Sequence, residues 1–165
     1  MKPETIRETV HSWEQNPEKA KTKRTVKVRS DGAQAVIEAG PFTWRADLPS
    51  PLGGTNQARS PTALLLGALG GCAVVFIRDT LAPQLGVRVD AVEATVQCDS
   101  DARGLLAMAG IAPDLQNIQV TIQMQSPDGE AAAQKVYQAW LQRCPIYLAI
   151  TKPMRVTASM QLKAS

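Results

Sequence analysis

Aromatic side chains make up only 4% of this sequence, with two Phe, three Trp and two Tyr. A core must therefore be assembled from Leu, Val, Ile, Ala and Met. Histidine occurs once, as His11, and the cysteines Cys72, Cys98 and Cys144 include no Cys-x-x-Cys pair. Zinc sites draw on Cys and His clustered at short spacing, so no metal or other cofactor is expected. Neither a Gly-x-Ser-x-Gly elbow nor a phosphate-binding glycine loop occurs, and Gly53 and Gly54 read as turn residues in a proline-flanked loop.

Long apolar runs are missing too. The longest, 63–77, contains Gly67, Gly70 and Gly71 and falls short of the ~20 residues that span a bilayer. The N-terminal segment is charged and amphipathic, without the apolar stretch of a secretory signal. Three cysteines in that context do not make a disulfide framework, so a cytoplasmic location is expected, with no membrane partner. Charge is nearly balanced at a formal +3. Lys19, Lys21, Lys23, Arg24, Lys27 and Arg29 form one basic segment, but it lacks interleaved aromatics and a reading helix. It reads as a solvated approach to a strand, and no nucleic acid partner is expected.

What remains is a chain of 165 residues, 44% hydrophobic and 20% charged, which suits one globular domain. Pro3, Glu4 and Glu8 suit a helix start, and Ile6, Val10 and Trp13 give it a narrow apolar stripe up to Asn16 and Pro17. That stripe predicts docking on the chain's own body or on another subunit. Alternation then predicts strands at 25–29, 33–38 and 42–47, with turn residues Ser30, Asp31 and Gly32 between the first two.

Ser60 and Pro61 have the chemistry of an N-cap and first helical residue. The helix that follows is apolar on nearly all sides up to Arg78, so it should be central and buried. Its glycines make sense where another backbone packs very close. Further on, 87–99 and 118–125 alternate as strands, 105–112 is a short helix or loop, and 130–143 has helical composition with Val136, Trp140 and Leu141 inward. A short helix is expected at 145–150 and a last strand at 154–162. The fold class is α+β with antiparallel sheets. Residues 1–24 make an N-terminal helix and basic linker, and 25–165 a single domain.

The chemistry-bearing residues admit two readings at this point. Cys72 has Ala68, Leu69, Val75 and Phe76 as helical neighbours. Such burial raises a thiol's pKa, so a reactive Cys72 needs a positive charge from another element. Cys144 is either a packed small residue or a thiol activated by the start of the helix after Pro145. Cys98, on the apolar face of its strand, reads as structural. Arg45 stands on the strand face opposite Trp44 and Ala46, where it either pairs with Asp47 or approaches Cys72 to favour thiolate.

Two separated stretches, in order, resemble one known family. Arg45-Ala-Asp-Leu-Pro, Gly53-Gly54 and Ser60-Pro-Thr-Ala-Leu-Leu-Leu-Gly-Ala-Leu-Gly-Gly-Cys72 look like the first cysteine motif of the OsmC/Ohr proteins (osmotically inducible and organic hydroperoxide resistance proteins). Gln142-Arg-Cys-Pro-Ile146 resembles the second, and the likeness covers roughly 26–162. It implies an intertwined homodimer, with antiparallel sheets wrapped around two central helices and a site at the subunit interface.

In active members the cysteine matching Cys72 attacks an organic hydroperoxide and becomes a sulfenic acid. The cysteine matching Cys144 then closes a disulfide, which an external dithiol reduces. The thiolate-favouring arginine of the early strands falls on Arg45 here, with Arg29 as runner-up. The family's glutamate just after the helix-opening proline is absent, because Thr62 and Ala63 stand there. Glu8 or His11 could replace it only if the N-terminal helix docked over the site. The resemblance thus implies a peroxidase, its activity weakened by the absent glutamate; the alternative is a non-catalytic dimer binding a small apolar or thiol ligand in its interface cavity.

Overall fold

A computed structural model describes residues 3–162. Along the chain come α1 (Pro3–Gln15), β1 (Lys27–Asp31), β2 (Gln34–Ala39), β3 (Phe42–Ala46) and α2 (Pro61–Phe76). They are followed by α3 (Ala82–Leu85), β4 (Ala91–Asp99), α4 (Ala102–Leu105), β5 (Gln116–Gln125), α5 (Glu130–Arg143) and α6 (Pro145–Thr151). The fold is α+β, with one antiparallel sheet of order β1-β2-β3 and a second formed by β4 and β5.

The central helix starts as its sequence dictates. Ser60 is extended, its Oγ accepts the Ala63 N–H at 3.1 Å, and Pro61 takes the first helical position. The helix does not stop near Arg78 but runs on to Leu85 through a wider π turn at Ile77–Leu81. Pro83 accounts for the widening. It has no N–H, and its ring would collide with the Asp79 carbonyl in a regular α-helix. The ladder shifts instead, and the Ala82 N–H bonds the Ile77 carbonyl. Pro61–Leu85 thereby becomes long and apolar enough, by length and composition, to cross a membrane; here it is the core helix.

Leu69, Ala73, Ile77 and Leu81 recur every fourth residue along that helix and meet Val136, Ala139, Trp140 and Cys144 in one buried cluster. Val92, Ala94 and Val96 of β4 and Val120 and Ile122 of β5 pack against it. Gly70 lets α2 lie tight on β4, since a Cβ there would sit 3.1 Å from Val96 Cγ2.

The other side of α2 departs from the expectation of burial all round. Leu65 and Val75 are exposed, and Cβ atoms at Gly67 and Gly71 would meet nothing within 4 Å. One chain supplies a single sheet to this helix, and that sheet covers one side. The β1–β3 sheet is similarly one-sided. Its register stacks Val28, Ile37 and Trp44 on one face, and Val28, Trp44 and the neighbouring Phe42 are exposed.

The strand expected at 154–162 does not form. These residues carry no strand pairing, and Val156, Met160 and Leu162 are 80%, 89% and 91% exposed. Alternation gives a strand two dissimilar faces, but only a neighbouring edge gives it a hydrogen-bond ladder. The N-terminal stripe docks on the chain's own body: α1 buries Ile6 and packs on α3, along a groove that includes Val10, Pro83 and Gln84. The expected helix or loop at 105–112 is a loop preceded by α4, whose N-cap Asp101 accepts the Arg103 N–H.

Candidate active site

Pro145 creates the corner that carries Cys144. A residue before proline is pushed out of the helical region, and Cys144 is extended at φ −67° and ψ 113°. So α5 ends at Arg143, and α6 begins with Pro145 in its first turn. The corner stays tight because the Cys144 N–H still donates to the Trp140 carbonyl at 2.9 Å. Cys144 also caps α6, its Sγ accepting the Tyr147 N–H at 3.4 Å.

Cys72 lies on α2, half-buried, one residue before the fully buried Ala73. The buried Cys144 thiol donates to Cys72 Sγ at 3.0 Å, although the two residues are 72 positions apart in the chain. Both are free thiols. A disulfide bond is ~2.05 Å long, so closing one requires an approach of about 1 Å. Of the two sulfurs, the one on α2 is the more open to solvent.

Burial pushes the Cys72 thiol up to about 12, and the hydrogen-bonded Cys144 beside it adds to the rise. The Ile146 backbone N–H, in the first turn of α6, acts in the opposite direction. Among the described residues no cation contributes, so within one chain Cys72 is held as a thiol at neutral pH.

The candidate cations lie elsewhere. Arg45 donates to Asp31 Oδ2 at 2.7 Å and Gln34 Oε1 at 2.9 Å across the β1–β3 sheet. It does face away from Trp44, but its carboxylate partner is Asp31 rather than Asp47. Arg29 stands 3.8 Å from Glu38. Because Val36 pairs with both Arg29 and Arg45, the two guanidinium groups leave the same face of one sheet. Arg29 also lines a groove with Ala46, Leu48 and Pro61, at the start of α2.

Asp47 has a role that alternation alone did not reveal. It is buried and accepts Thr55 Oγ1 at 2.6 Å and the N–H groups of Leu48, Gln57 and Thr55 at 2.7, 2.9 and 3.1 Å. These bonds, the Thr55 hydroxyl first, hold its carboxyl well below the usual range. The loop between β3 and α2 is thereby folded around one carboxylate. Gly54 makes the approach possible, because a Cβ there would lie 1.9 Å from the Leu48 carbonyl oxygen.

Thr62 is half-buried in the first turn of α2. Glu8 and His11 belong to α1, which packs on α3, and His11 bonds Gln15 at 3.0 Å. Cys98 shares the half-buried face of β4 with Val92 and Val96. Among the described residues no group of three or more His, Cys, Asp or Glu could hold a metal ion.

The profile of the OsmC-like proteins matches residues 54–159. The chain belongs to the OsmC-like protein family. The match takes in both Cys72 and Cys144. No curated protein sequence matches this OsmC-like chain. Its fold is shared with solved structures of low sequence identity. An OsmC-like protein from Mycoplasma pneumoniae is 16% identical, with a TM-score of 0.65 over 78% of this chain and 87% of that one. An organic hydroperoxide resistance protein OsmC from Legionella pneumophila is 20% identical, with a TM-score of 0.59 over 79% and 90%. The organic hydroperoxide resistance protein OhrB of Bacillus subtilis is 19% identical, with a TM-score of 0.51 over 79% and 91%.

Proposed function

We propose that this OsmC-like protein is a cytoplasmic thiol peroxidase that reduces organic hydroperoxides as part of an oxidative stress response. The observation that carries the reading is the 3.0 Å approach of Cys72, inside α2, and Cys144, at the α5–α6 junction. Two of its structural neighbours are organic hydroperoxide resistance proteins.

The more open sulfur, Cys72, acts first. Its thiolate attacks the distal peroxide oxygen, the O–O bond breaks, and the alkoxide leaves as alcohol after taking a proton. Cys72 is now a sulfenic acid. The Cys144 sulfur attacks it, forms the Cys72–Cys144 disulfide and expels hydroxide, which takes the Cys144 proton and leaves as water. An external dithiol then reduces the disulfide and is itself oxidised. A reducing cytoplasm suits this cycle, because it keeps the resting thiols free.

Cys72 needs a cation for this chemistry, and we assign it to a second copy of the chain. A homodimer is supported by three uncovered apolar surfaces: the Leu65 and Val75 side of α2, the Val28 and Trp44 face of the first sheet, and the alternating segment 154–162. Contiguous exposed apolar surface of this kind marks protein–protein contact. Arg45 or Arg29 from the second copy would approach the sulfur and shift it toward thiolate.

The alternative, a dimer that only binds a small apolar or thiol ligand, draws support from the Cys72 thiol at about 12. Cumene hydroperoxide separates the two. Stoichiometric oxidation should convert the free thiols to a Cys72–Cys144 disulfide, read by peptide mass spectrometry, and Cys72→Ser or Cys144→Ser should abolish it. Thiols that survive equimolar hydroperoxide unchanged would leave ligand binding as the function.

A further inference from the structure

We propose that Tyr137, Trp140 and Tyr147 act as positioning residues for Cys144, holding the α5–α6 corner so that its sulfur can bond Cys72. The proposal rests on the redox reading of the same pair. The rings bridge the only break between α5 and α6. Tyr137 and Trp140 stack three residues apart on α5, with centroids at 6.1 Å and planes 19° apart. Trp140 then meets Tyr147 of α6 at 4.9 Å and 45°. This second contact spans the Cys144–Pro145 corner.

The same two residues hold Cys144 through their backbones. The Trp140 carbonyl accepts the Cys144 N–H at 2.9 Å, and the Tyr147 N–H donates to Cys144 Sγ at 3.4 Å. Ring contact and backbone bonds therefore form a closed loop around one residue. Without the ring contact α6 is free to pivot at Cys144, carrying away the Tyr147 N–H and the Ile146 N–H that faces Cys72. Outside the corner, Arg143 donates to Gln84 Oε1 at 2.9 Å and ties it to α3.

Trp140 is 1% exposed, and its indole N–H is buried without a partner among the described residues. Its contacts with Tyr137 and Tyr147 are made by the ring. The conservative variant is Tyr147→Phe, which keeps the ring and loses only the hydroxyl, whereas any truncation of the buried Trp140 would also open a cavity.

The test is equilibrium disulfide closure in glutathione buffers, which needs no hydroperoxide. Cys72 thiolate attacks glutathione disulfide and releases one glutathione thiolate. Cys144 thiolate then attacks the Cys72 sulfur of the mixed disulfide and releases the second. The net change oxidises two protein thiols and reduces one glutathione disulfide to two thiols. Quenching with an alkylating agent and counting modified cysteines by mass spectrometry gives the effective concentration of Cys144 at Cys72.

Tyr147→Leu should lower that concentration about tenfold and Tyr137→Leu at least threefold, whereas Tyr147→Phe should stay within about twofold of the unaltered protein. Both leucine variants remaining within twofold would overturn the proposal. So would a Tyr147→Phe variant that falls as far as the leucine one. A protein that closes the disulfide in glutathione but ignores cumene hydroperoxide would end the peroxidase reading and leave this one standing.

Discussion

Removing the arginine that serves Cys72 should move the ionisation of its thiol by an amount that charge and distance set in advance. The single chain holds Cys72 at about 12. One guanidinium ~4 Å from the sulfur contributes ~4 kcal/mol at an effective dielectric of ~20. At 1.36 kcal/mol per pKa unit this is a fall of ~3 units. One arginine in the dimer therefore leaves Cys72 at roughly 9, and two bring it to roughly 6. At pH 7 the thiolate fraction rises from ~10⁻⁵ with no arginine to ~10⁻² with one and ~0.9 with two.

Because Arg29 and Arg45 leave the same sheet face, both are able to contribute, and the count is an experimental question. The rate of iodoacetamide modification of the Cys72 peptide, followed from pH 5 to 11 by mass spectrometry, gives the apparent pKa directly. Arg29→Ala, Arg45→Ala and the double variant should each raise it by ~3 units for every contributing arginine lost. An unaltered protein whose modification rate is still rising at pH 11 with no plateau, or one that titrates below 9 and is unmoved by either substitution, would refute the electrostatic argument.

Two further perturbations test the frame around the site. Gly70→Ala should destabilise the protein in urea by about 1–2 kcal/mol, because overpacking against Val96 at 3.1 Å outweighs a helix-propensity gain of up to ~1 kcal/mol. Gly71→Ala has open space within one chain and should stabilise a monomer; if α2 meets a second copy there, analytical ultracentrifugation will instead show weakened dimerisation. Asp47 has a lowered folded-state pKa, so its contribution is complete above its unfolded value of ~3.9 and is lost as pH falls below it. Thermal melts from pH 6 to 2 should show this acid loss in the unaltered protein and a smaller one in Asp47→Asn, whose amide cannot accept from all four donors.

Local chemistry was legible wherever the nearest residues decide the outcome. The Ser60 cap, the Pro61 start, the three-strand meander and the break at Cys144 before Pro145 each follow from side chains within four residues. The helix extension past Arg78 was harder to read, because Pro83 ends most helices and here provokes a π turn instead. The segment 154–162 misled for the opposite reason. Its alternation describes what a strand would do with its faces, and nothing in it names the edge that would complete the ladder.

The amino-acid order by itself determined the α+β class, the two cysteine motifs and the resemblance that the family match upheld, since these depend on period, turn chemistry and motif spacing. Tertiary structure alone decided that two sulfurs 72 positions apart stand 3.0 Å from each other, that Arg45 pairs with Asp31, and that Asp47 turns inward to gather a loop. Such facts depend on which elements meet after the core closes. A side chain's charge and pKa follow from the neighbours it acquires there, not from those beside it in the chain.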